Sequence, residues 1–441
     1  MKISELGVFN KNDHCAWVGG GGKTSLIFAL STELYADKCL ISTTTKMTID
    51  EGNFADHFYG YLDPNLLETN DIEGIYFIYK EKSIVEPSKI VGFSDRELLP
   101  LSQKLKVNNI PFQIESDGSK RKPLKFPADH EPNIPTFVDK VCVVVGLSVL
   151  GKELLEENVH RSNLFSKFLD LSLGSKINLD HLFLLLSHPE GGLKNIPPTA
   201  EKVLFLNQAE LIKDKSGVNN LILKLKRFYD HIFLSNVTNN QLEIIAHWGK
   251  IGCVVLAAGS SARFGSPKQL ALFRNKTFIE NVIETVLKIN FAESVVILGY
   301  FYEKISQVIK QYKINIVINP DWENGQSKSV IEGVKFFTSK NVEAILFLLV
   351  DQPQITVDQI HDVINLYAYK KPPIIVHAFE GQNRHPILFS KLTFSDLTNL
   401  EGDQGGRQLF DNFPVEKIKI KDQYYSIDVD TINDLEKLGN E

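Results

Sequence analysis

Short apolar runs of strand length alternate along the chain with segments in which apolar residues recur at helical spacing. Strands are predicted at 14–18, 39–42, 111–115, 140–145, 182–186, 203–206, 232–234, 253–256, 294–299, 314–318 and 344–350. Helices are predicted at 26–34, 151–168, 277–289, 303–312, 328–338 and 431–438. This alternation is typical of an α/β protein whose mostly parallel sheet is covered by helices on both faces.

The length of 441 residues favours two or three domains of ordinary size. We place a boundary between residues 249 and 250, just before an apolar strand, although no linker rich in Pro, Gly or Ser separates the two halves. The expected domains are therefore 1–249 and 250–441, and both are expected to be α/β.

Composition and charge exclude several classes of partner. Hydrophobic residues make up 43% of the chain and charged residues 23%, as in globular proteins, and the net charge is −6. A chain with this charge balance is not expected to present the basic surface that binds nucleic acids. No apolar run approaches the roughly 20 residues that are needed to cross a membrane. The N-terminal sequence lacks the apolar stretch of a signal peptide, and the four cysteines show no paired spacing. We expect a cytoplasmic protein with reduced cysteines and small-molecule substrates, without nucleic acid or membrane partners.

A glycine-rich loop follows the first predicted strand. Gly19–Gly22 precedes Lys23 and Thr24, and a helical segment comes next. In a strand–loop–helix unit ending in Gly-Lys-Thr, the lysine neutralises β/γ-phosphates and the threonine holds Mg²⁺. We therefore predict a nucleotide or phosphate site at Gly22, Lys23 and Thr24. The usual spacing would place a glycine at Trp17, so the loop is atypical; the alternative is a glycine-rich turn with a surface lysine.

Candidate partners of this loop lie at the ends of two later strands. Glu115 and Asp117 follow one strand, and Thr43–Thr45 follow another. Acids at a strand end beside a phosphate loop are the expected partners of Mg²⁺. The threonine hydroxyls either join them or reflect only the preference of threonine for strands. His130 and Glu131, in a proline-rich loop, form a weaker candidate pair of metal ligands.

Six short motifs of the first half form a combination. They are Gly22-Lys23-Thr24, Thr43-Thr44-Thr45-Lys46, Glu115-Ser116-Asp117-Gly118, the loop from His130 to Pro135, Val159-His160-Arg161 and Asn207-Gln208-Ala209. Together they resemble the YqeC-like accessory family of selenium-dependent molybdenum hydroxylases, over roughly residues 8–225. The resemblance implies a P-loop-like α/β nucleotide-binding domain that aids the maturation of molybdenum hydroxylases, without implying a defined reaction.

The second half opens with a strand, a loop of small residues and two spaced cations. Small residues let the loop amides, from 258 to 262, approach an anion closely, and the two cations add the charge that backbone dipoles lack. The residues predicted to form this triphosphate site are Leu256, Ala257, Ala258, Gly259, Ser260, Ser261, Arg263 and Lys268. The alternative is a Gly/Ser turn with two solvated cations.

Two aspartates are candidates for the metal that accompanies the triphosphate. Asp351 ends the most apolar predicted strand, and it is therefore expected at the carboxyl edge where open α/β sheets bind ligands. Asp430 precedes the predicted C-terminal helix, where it either caps the helix or supplies a second carboxylate, with Asp428 as the fallback. We predict that Mg²⁺ binds at Asp351 and Asp430.

Further motifs complete a combination that spans 250–438. They are Leu256-Ala-Ala-Gly-x-Ser-x-Arg-x-Gly-x-x-Lys268, Gly325-Gln326-Ser327-x-Ser329, Asp351-Gln352-Pro353, His385-Pro386, Leu400-x-Gly402-Asp403-x-Gly405 and Asp428-x-Asp430-Thr431. The combination is similar to the MocA-type molybdenum cofactor cytidylyltransferases of the MobA-like NTP transferase superfamily. The resemblance implies a Rossmann-like nucleotidyltransferase domain with a mostly parallel sheet. The pair Ala257-Ala258 resembles the cytidylyl branch rather than the guanylyl branch.

This resemblance also implies a reaction, the transfer of CMP from CTP to the terminal phosphate of molybdopterin with release of pyrophosphate. Its implied residues are Arg263, Lys268 and Asp351 for catalysis, Gly325, Gln326 and Ser327 for the base or ribose, and His385 and Asp403 for the acceptor side. Arg384 departs from the family pattern, which generally has glycine there. A molybdenum hydroxylase is the implied recipient of the finished cofactor.

Two alternatives stay open at this stage. The loop chemistry is shared with other nucleotidyltransferases, such as sugar-1-phosphate or guanylyl enzymes, so a screen of acceptors and nucleotides is needed to distinguish them. The other alternative is a cofactor-binding chaperone or insertase that hands finished cofactor to a hydroxylase. The intact Arg263, Lys268 and Asp351 argue against this second possibility.

Overall fold

The computed structural model describes residues 1–60, 73–261 and 263–439, and the chain divides into two compact units, Met1–His247 and Trp248–Glu441. Strands of the first half are β1 His14–Gly19, β2 Lys38–Thr43, β3 Lys46–Thr48, β4 His57–Gly60, β5 Gly74–Tyr79, β6 Glu81–Lys82, β7 Lys89–Val91, β8 Phe112–Glu115, β9 Leu124–Lys125, β10 Lys140–Gly146, β11 Val159–His160, β12 Glu201–Asn207, β13 His231–Thr238 and β14 Gln241–Trp248. Its helices are α1 Lys23–Tyr35, α2 Asp95–Val107, α3 Ser162–Leu169, α4 Leu179–Ser187 and α5 Lys215–Leu225.

The main sheet of the first unit has the strand order β14-β13-β12-β10-β1-β8-β2-β5-β4. Each neighbouring pair from β13 to β4 runs parallel, as the alternation of strands and helices predicts. Every residue of β10 is buried, because a parallel sheet is covered on both faces. In the register, Glu115 of β8 lies opposite Trp17 of β1 and Thr43 of β2, which brings the carboxyl ends of three strands to one edge.

One predicted element of the first half is wrong, and a second is correct only in its C-terminal part. The run 182–186, predicted as a strand, belongs to helix α4, where Leu182, Leu185 and Leu186 are buried at helical spacing. A continuous leucine run does not distinguish a strand from a helix, and here the side chain of Asn178 caps the helix. The predicted helix 151–168 is helical only within α3, because the chain first forms the short strand β11 beside β9.

Strands of the second unit are β15 Ile251–Ala257, β16 Leu272–Phe273, β17 Lys276–Thr277, β18 Glu293–Leu298, β19 Asn315–Ile318, β20 Ala344–Leu349, β21 Ile374–Phe379, β22 Gln382–Ser390 and β23 Val415–Lys419. Its helices are α6 Phe278–Leu287, α7 Tyr302–Ile309, α8 Gln326–Phe337, α9 Val357–Lys370, α10 Phe394–Leu397 and α11 Ile432–Gly439. The main sheet has the order β19-β18-β15-β20-β22-β21-β23, and only β22 runs antiparallel to its neighbours. β15 and β20 are adjacent and parallel at its centre. The residues after Ala257 and Leu349 therefore emerge at the same edge.

The four cysteines of the chain lie in the two hydrophobic cores. Cys15, Cys39, Cys142 and Cys253 are buried and form no disulfide. Within residues 1–60, 73–261 and 263–439, no helix combines the length and apolar character needed to span a bilayer.

Candidate functional site

A buried glutamine shapes the small-residue loop after β15. The side-chain amide of Gln269 donates to the carbonyl oxygens of Ala257, at 3.0 Å, and Gly259, at 2.8 Å. Its Oε1 accepts from Ser261 Oγ at 3.1 Å, and that hydroxyl oxygen accepts from the amide of Lys268 at 3.1 Å. The loop and the start of the next segment thus form one hydrogen-bonded unit. Our interpretation of the sequence missed Gln269, and its position beside Lys268 was the only available signal. Residue 262, the last of the predicted loop amides, lies outside the described residues.

Lys268 lies between the two aspartates predicted to bind metal. Its Nζ is 2.6 Å from Asp351 Oδ2 and 3.1 Å from Asp430 Oδ1. Burial disfavours the charge on Lys268, but the two carboxylates outweigh burial and raise the lysine's pKa above its ordinary value. Arg263 extends into solvent, with Nη1 3.4 Å from Asp430 Oδ2. The tertiary structure therefore brings together four charged residues that are up to 167 positions apart in the sequence.

Asp351 has a second oxygen that is buried and unpaired. Oδ1 is shielded from solvent and has no hydrogen-bond partner among the described residues. A buried acceptor without a donor is costly, and such an atom in a native protein calls for an explanation, such as an ion or water. The unpaired oxygen makes this position suitable for a cation, with Asp430 as the neighbouring carboxylate. Within the described ranges, no cluster of three or more His, Cys, Asp or Glu forms a potential metal site.

The alternative role of Asp430 as a helix cap is wrong. Thr431 caps α11 instead: Asp434 Oδ2 accepts from the amide of Thr431 at 3.0 Å and from its hydroxyl at 2.8 Å. The amide of Asp434 donates back to Thr431 Oγ1 at 3.3 Å. Asp428, the fallback ligand, accepts from the side chain of Gln352 at 2.6 Å. Asp430 is therefore the aspartate of this segment that faces Lys268 and Arg263.

The loop Gly325–Ser327 lies at the N-terminus of α8, beside Asp403. Gly325 has φ +94°, and a Cβ atom there would lie 2.6 Å from the carbonyl oxygen of Gly402, so both conformation and space favour glycine. Asp403 Oδ1 accepts from the amide of Gln326 at 3.1 Å, and the amide of Ser327 donates to Gly402 at 3.2 Å. Asp403, predicted on the acceptor side, thus contacts the loop predicted to hold the base or ribose.

His385 is a buried, neutral imidazole on β22. Burial and the nearby charge of Arg407 lower its pKa to about 3, so it carries no positive charge at neutral pH. Its Nδ1 has no hydrogen-bond partner among the residues that the structure describes. A neutral ring suits a polar contact with a ligand better than charge pairing with a phosphate. Arg384, the departure from the family pattern, donates to Gln382 at 2.6 Å.

The glycine loop of the first unit is packed tightly against its neighbours. The amide of Gly19 donates to Asp117 at 3.0 Å, that of Gly20 to Val144 at 2.9 Å, and that of Gly21 to Lys122 at 2.9 Å. A Cβ atom on Gly21 would lie 2.1 Å from a backbone nitrogen, so close backbone packing explains this glycine. The first three amides of the loop are therefore engaged by protein acceptors, and an anion has to approach the first turn of α1.

Lys23 is buried beneath that loop, so the alternative of a surface lysine is wrong. Its Nζ donates to the carbonyl oxygen of Gly19 at 2.7 Å and lies 3.2 Å from Asp117 and 3.7 Å from Glu115. Burial opposes its charge, but Asp117 and Glu115 raise its pKa above the ordinary value. Thr24 Oγ1 donates to Glu115 at 2.8 Å. The predicted meeting of the loop with these acids is therefore present in the structure.

A chain of ion pairs continues from Asp117. Lys125 Nζ lies 3.0 Å from Asp117 and 2.6 Å from Glu131, and Glu131 also accepts from both terminal nitrogens of Arg161. Two cations therefore already neutralise Glu131, and the side chain of His130 is 76% exposed, which argues against this pair as metal ligands. Our sequence-based interpretation missed that Lys125 and Arg161 both bind the carboxylate of Glu131, because the three residues are separated along the chain.

Comparison with known proteins assigns both halves of the chain to families. Residues 15–163 match the family described as YqeC protein, and residues 253–418 match the family described as MobA-like NTP transferase domain. The chain is 32% identical over 231 residues to YqeC of Escherichia coli (strain K12), across 51% of this chain and 87% of that protein. The chain belongs to the YqeC family. It joins the YqeC domain at its N-terminus to a MobA-like nucleotidyltransferase domain at its C-terminus.

Other relatives are also similar to this chain. Nicotine blue oxidoreductase of Paenarthrobacter nicotinovorans is 29% identical over 196 residues, 42% of this chain and 94% of that protein. Purine catabolism protein PucB of Bacillus subtilis (strain 168) is 28% identical over 163 residues, 35% of this chain and 78% of that protein. Among solved structures, Rv0371c of Mycobacterium tuberculosis H37Rv is similar at 27% identity and a TM-score of 0.40, covering 44% of this chain and 98% of that one.

Proposed function

We propose that the MobA-like domain, residues 250–441, is a molybdenum cofactor cytidylyltransferase that transfers CMP from CTP to the terminal phosphate of molybdopterin. The observation that carries the proposal is the meeting of Lys268 with Asp351 and Asp430 at one edge of a mostly parallel sheet. A cation and two carboxylates beside a loop of small residues suit a nucleoside triphosphate and its metal. The choice of CTP and molybdopterin rests on the MocA-type motifs of the sequence.

The proposed reaction is a displacement at the α-phosphorus of CTP. A terminal phosphate oxygen of molybdopterin forms a bond to that phosphorus, the bond to the bridging β-phosphate oxygen breaks, and pyrophosphate leaves with the electron pair. The attacking phosphate is already an anion, so no general base is needed. Catalysis then depends on positioning and on neutralising charge.

Three groups of this chain supply those effects in the proposal. Lys268 neutralises charge that develops at the α-phosphate, and Arg263, whose side chain is 82% exposed, closes onto the triphosphate. The loop from Leu256 to Ser261 presents its backbone to the phosphates, in the conformation that Gln269 holds. Removing one electrostatic group of this kind typically costs about 10²–10³-fold in rate.

Asp351 and Asp430 are the residues that would hold Mg²⁺. The buried, unpaired Oδ1 of Asp351 fits a cation, and so does the neighbouring carboxylate of Asp430. One or two carboxylates together with substrate phosphates are the usual ligand set of Mg²⁺ at nucleotide sites. Mg²⁺ held there would supply the positive charge that stabilises the α-phosphate and the departing pyrophosphate.

The remaining residues divide between the two substrates. Gly325, Gln326 and Ser327 at the start of α8 contact the base or ribose of CTP in the proposal. Asp403 supports that loop through the amide of Gln326. His385 offers a neutral imidazole to the acceptor, molybdopterin.

Pyrophosphate release tests this proposal. Full-length protein is incubated with Mg²⁺, with CTP, GTP or UTP, and with either molybdopterin or a sugar 1-phosphate in separate reactions, and release is expected with CTP and molybdopterin. Lys268→Ala and Asp351→Ala should abolish it without unfolding the protein, whereas Lys276→Ala, at an exposed ion pair with Glu284, should retain it. Release with GTP or with a sugar phosphate instead would support another nucleotidyltransferase. Tight cofactor binding without any product would favour a chaperone or insertase.

We further propose that the YqeC domain, residues 1–249, binds a nucleotide at Gly22, Lys23 and Thr24 and aids the maturation of a molybdenum hydroxylase. Support comes from Thr24 and Lys23, which lie against Glu115 and Asp117. This pairing is expected where a phosphate loop meets the acids that bind Mg²⁺.

Hydrogen exchange of the full chain tests whether a nucleotide binds at this loop. ATP or GTP with Mg²⁺ should protect peptides from α1, and protection confined to the loop after β15 would contradict the proposal. Transfer of labelled cofactor to an apo-hydroxylase tests the maturation role.

A further inference from the structure

Lys268 occupies the position between two carboxylates that the proposed metal would also bridge. Its ammonium is 2.6 Å from Asp351 and 3.1 Å from Asp430, and the Lys268 and Asp351 side chains are only 16% and 14% exposed. Asp351 and Asp430 face this group directly, Arg263 approaches Asp430, and Asp428 adds a further negative charge near Asp351. A lysine so placed balances part of the negative charge that would otherwise attract a divalent cation.

We propose that Lys268 is an internal counter-cation that a divalent metal displaces from Asp351 and Asp430, so that metal binding releases the lysine to meet the nucleotide phosphates. The inference rests on the proposed metal-dependent transfer at this site. In this order of events, the carboxylates hold the lysine until the metal binds and takes its place.

The surroundings of Lys268 permit such a movement of its head group alone. Its backbone amide is fixed to Ser261 Oγ at 3.1 Å, and the next residue, Gln269, is 1% exposed and hydrogen-bonded to the loop. The backbone therefore stays in place, while the four-carbon side chain has several rotatable bonds. A displaced ammonium remains attached beside the loop that is proposed to hold the phosphates.

The two carboxylate oxygens of Asp351 differ in their partners, and this difference also supports the displacement of Lys268 by a metal. Oδ2 receives the lysine, whereas the buried Oδ1 has no partner in the described part of the chain. The lysine thus satisfies only half of this carboxylate. A divalent cation carries twice the charge of the ammonium and attracts oxygen ligands closely, at about 2.0–2.1 Å for Mg²⁺.

Mn²⁺ binding without nucleotide tests the inference independently of turnover. The concentration of free Mn²⁺ is followed by electron paramagnetic resonance in titrations of full-length wild type, Lys268→Gln and the control Lys276→Gln. Lys268→Gln should bind Mn²⁺ about ten- to a hundredfold more tightly than wild type, because the metal no longer has to break the contact between the ammonium and the carboxylates. This factor corresponds to the free energy of one charge-assisted hydrogen bond. Lys276→Gln should equal wild type, because its ammonium pairs with Glu284. Circular dichroism confirms that each variant is folded.

The outcomes separate this inference from the proposed function. Equal or weaker Mn²⁺ binding by Lys268→Gln, with binding abolished in Asp351→Asn, would overturn the displacement and leave the metal site standing. Absence of saturable binding by both wild type and Lys268→Gln would overturn the metal site and the displacement together.

Chemical labelling supplies a second readout. Mass spectrometry after brief acetylation should show that Mg²⁺ increases modification of Lys268 relative to Lys276 in nucleotide-free protein, since the freed ammonium becomes more accessible. Unchanged or decreased modification of Lys268 at saturating Mg²⁺ would contradict the displacement.

Discussion

The side-chain nitrogen of Gln269 lies 2.8 Å from the carbonyl oxygen of Gly259, in the middle of the small-residue loop. The same amide group reaches Ala257, so its two hydrogens hold two carbonyl groups of one turn. Gln269 therefore acts as a positioning residue for the loop.

Gln269→Glu should disrupt this loop. The substitution places a carboxylate against two carbonyl oxygens, so we expect kcat/KM for CTP to fall about 10–100-fold through misplacement of the loop. Pyrophosphate release kinetics measure the effect. Gln307→Glu is the control for the added charge, because Gln307 is exposed on α7 and a carboxylate there stays in solvent. Wild-type kinetics in Gln269→Glu would exclude the positioning role.

Asp403 offers a test of which substrate it serves. Because its carboxylate accepts from the amide of Gln326, Asp403→Ala should raise the KM for CTP and cost about 1 kcal/mol of stability, as the loss of a helix cap does. Asp403→Asn keeps an acceptor oxygen and should restore both. Steady-state kinetics with each substrate varied in turn are the measurement. An increase confined to the KM for molybdopterin would instead place Asp403 on the acceptor side.

Asp117 is expected to be important for the stability of the first unit. It is 3% exposed and pairs with both Lys23 and Lys125, so Asp117→Ala leaves two buried ammonium groups without that carboxylate. We expect a loss of about 3–5 kcal/mol, the cost of breaking a buried ion pair. The loss is measured by hydrogen exchange of peptides from β1 and β10, which gives the opening free energy of the first unit separately from that of the second. In the control Glu190→Ala, only the 64% exposed carboxylate partner of Lys194 is lost, and Lys194 keeps its hydrogen bond to the carbonyl oxygen of Ala128. The change should therefore stay below about 1 kcal/mol. A similar small change in Asp117→Ala would contradict the prediction.

His377 should make the second unit sensitive to acid. Burial lowers its pKa to about 4, from an ordinary value of 6.5. Below pH 6.5 the unfolded chain takes up a proton that the folded chain does not accept until about pH 4, so stability is lost as the pH falls through this window. Between pH 7 and 5 the loss due to His377 should be about 2 kcal/mol.

The variant His377→Gln tests this pH dependence. Hydrogen exchange of β21 and β20 at pH 7 and pH 5, corrected for the intrinsic exchange rates, gives the change in opening free energy. The variant should lose about 2 kcal/mol less than wild type over that interval, whatever its stability at pH 7. An equal loss in both proteins would show that other groups, such as His385, account for the acid sensitivity.

The sequence predicted the α/β class, the mostly parallel sheets and the edge at which Lys268 and Asp351 meet. These features follow from local patterns, because buried parallel strands are continuous apolar runs and their carboxyl ends share one edge. Prediction failed where a local pattern was ambiguous. The leucines at 182–186 fit a strand or a helix equally well, and the capping of α4 by Asn178 together with burial at helical spacing decided for the helix.

By itself, the sequence determined which residue types stand at the ends of the strands, and hence the predicted chemistry of each half. Only the tertiary structure decided their partners. It pairs Lys268 with Asp430, 162 positions away, assigns the cap of α11 to Thr431, and buries Lys23 between Asp117 and Glu115. The reason is physical: a side chain's charge and hydrogen bonds are satisfied by groups that folding brings near, and the spacing of residues along the chain does not specify them.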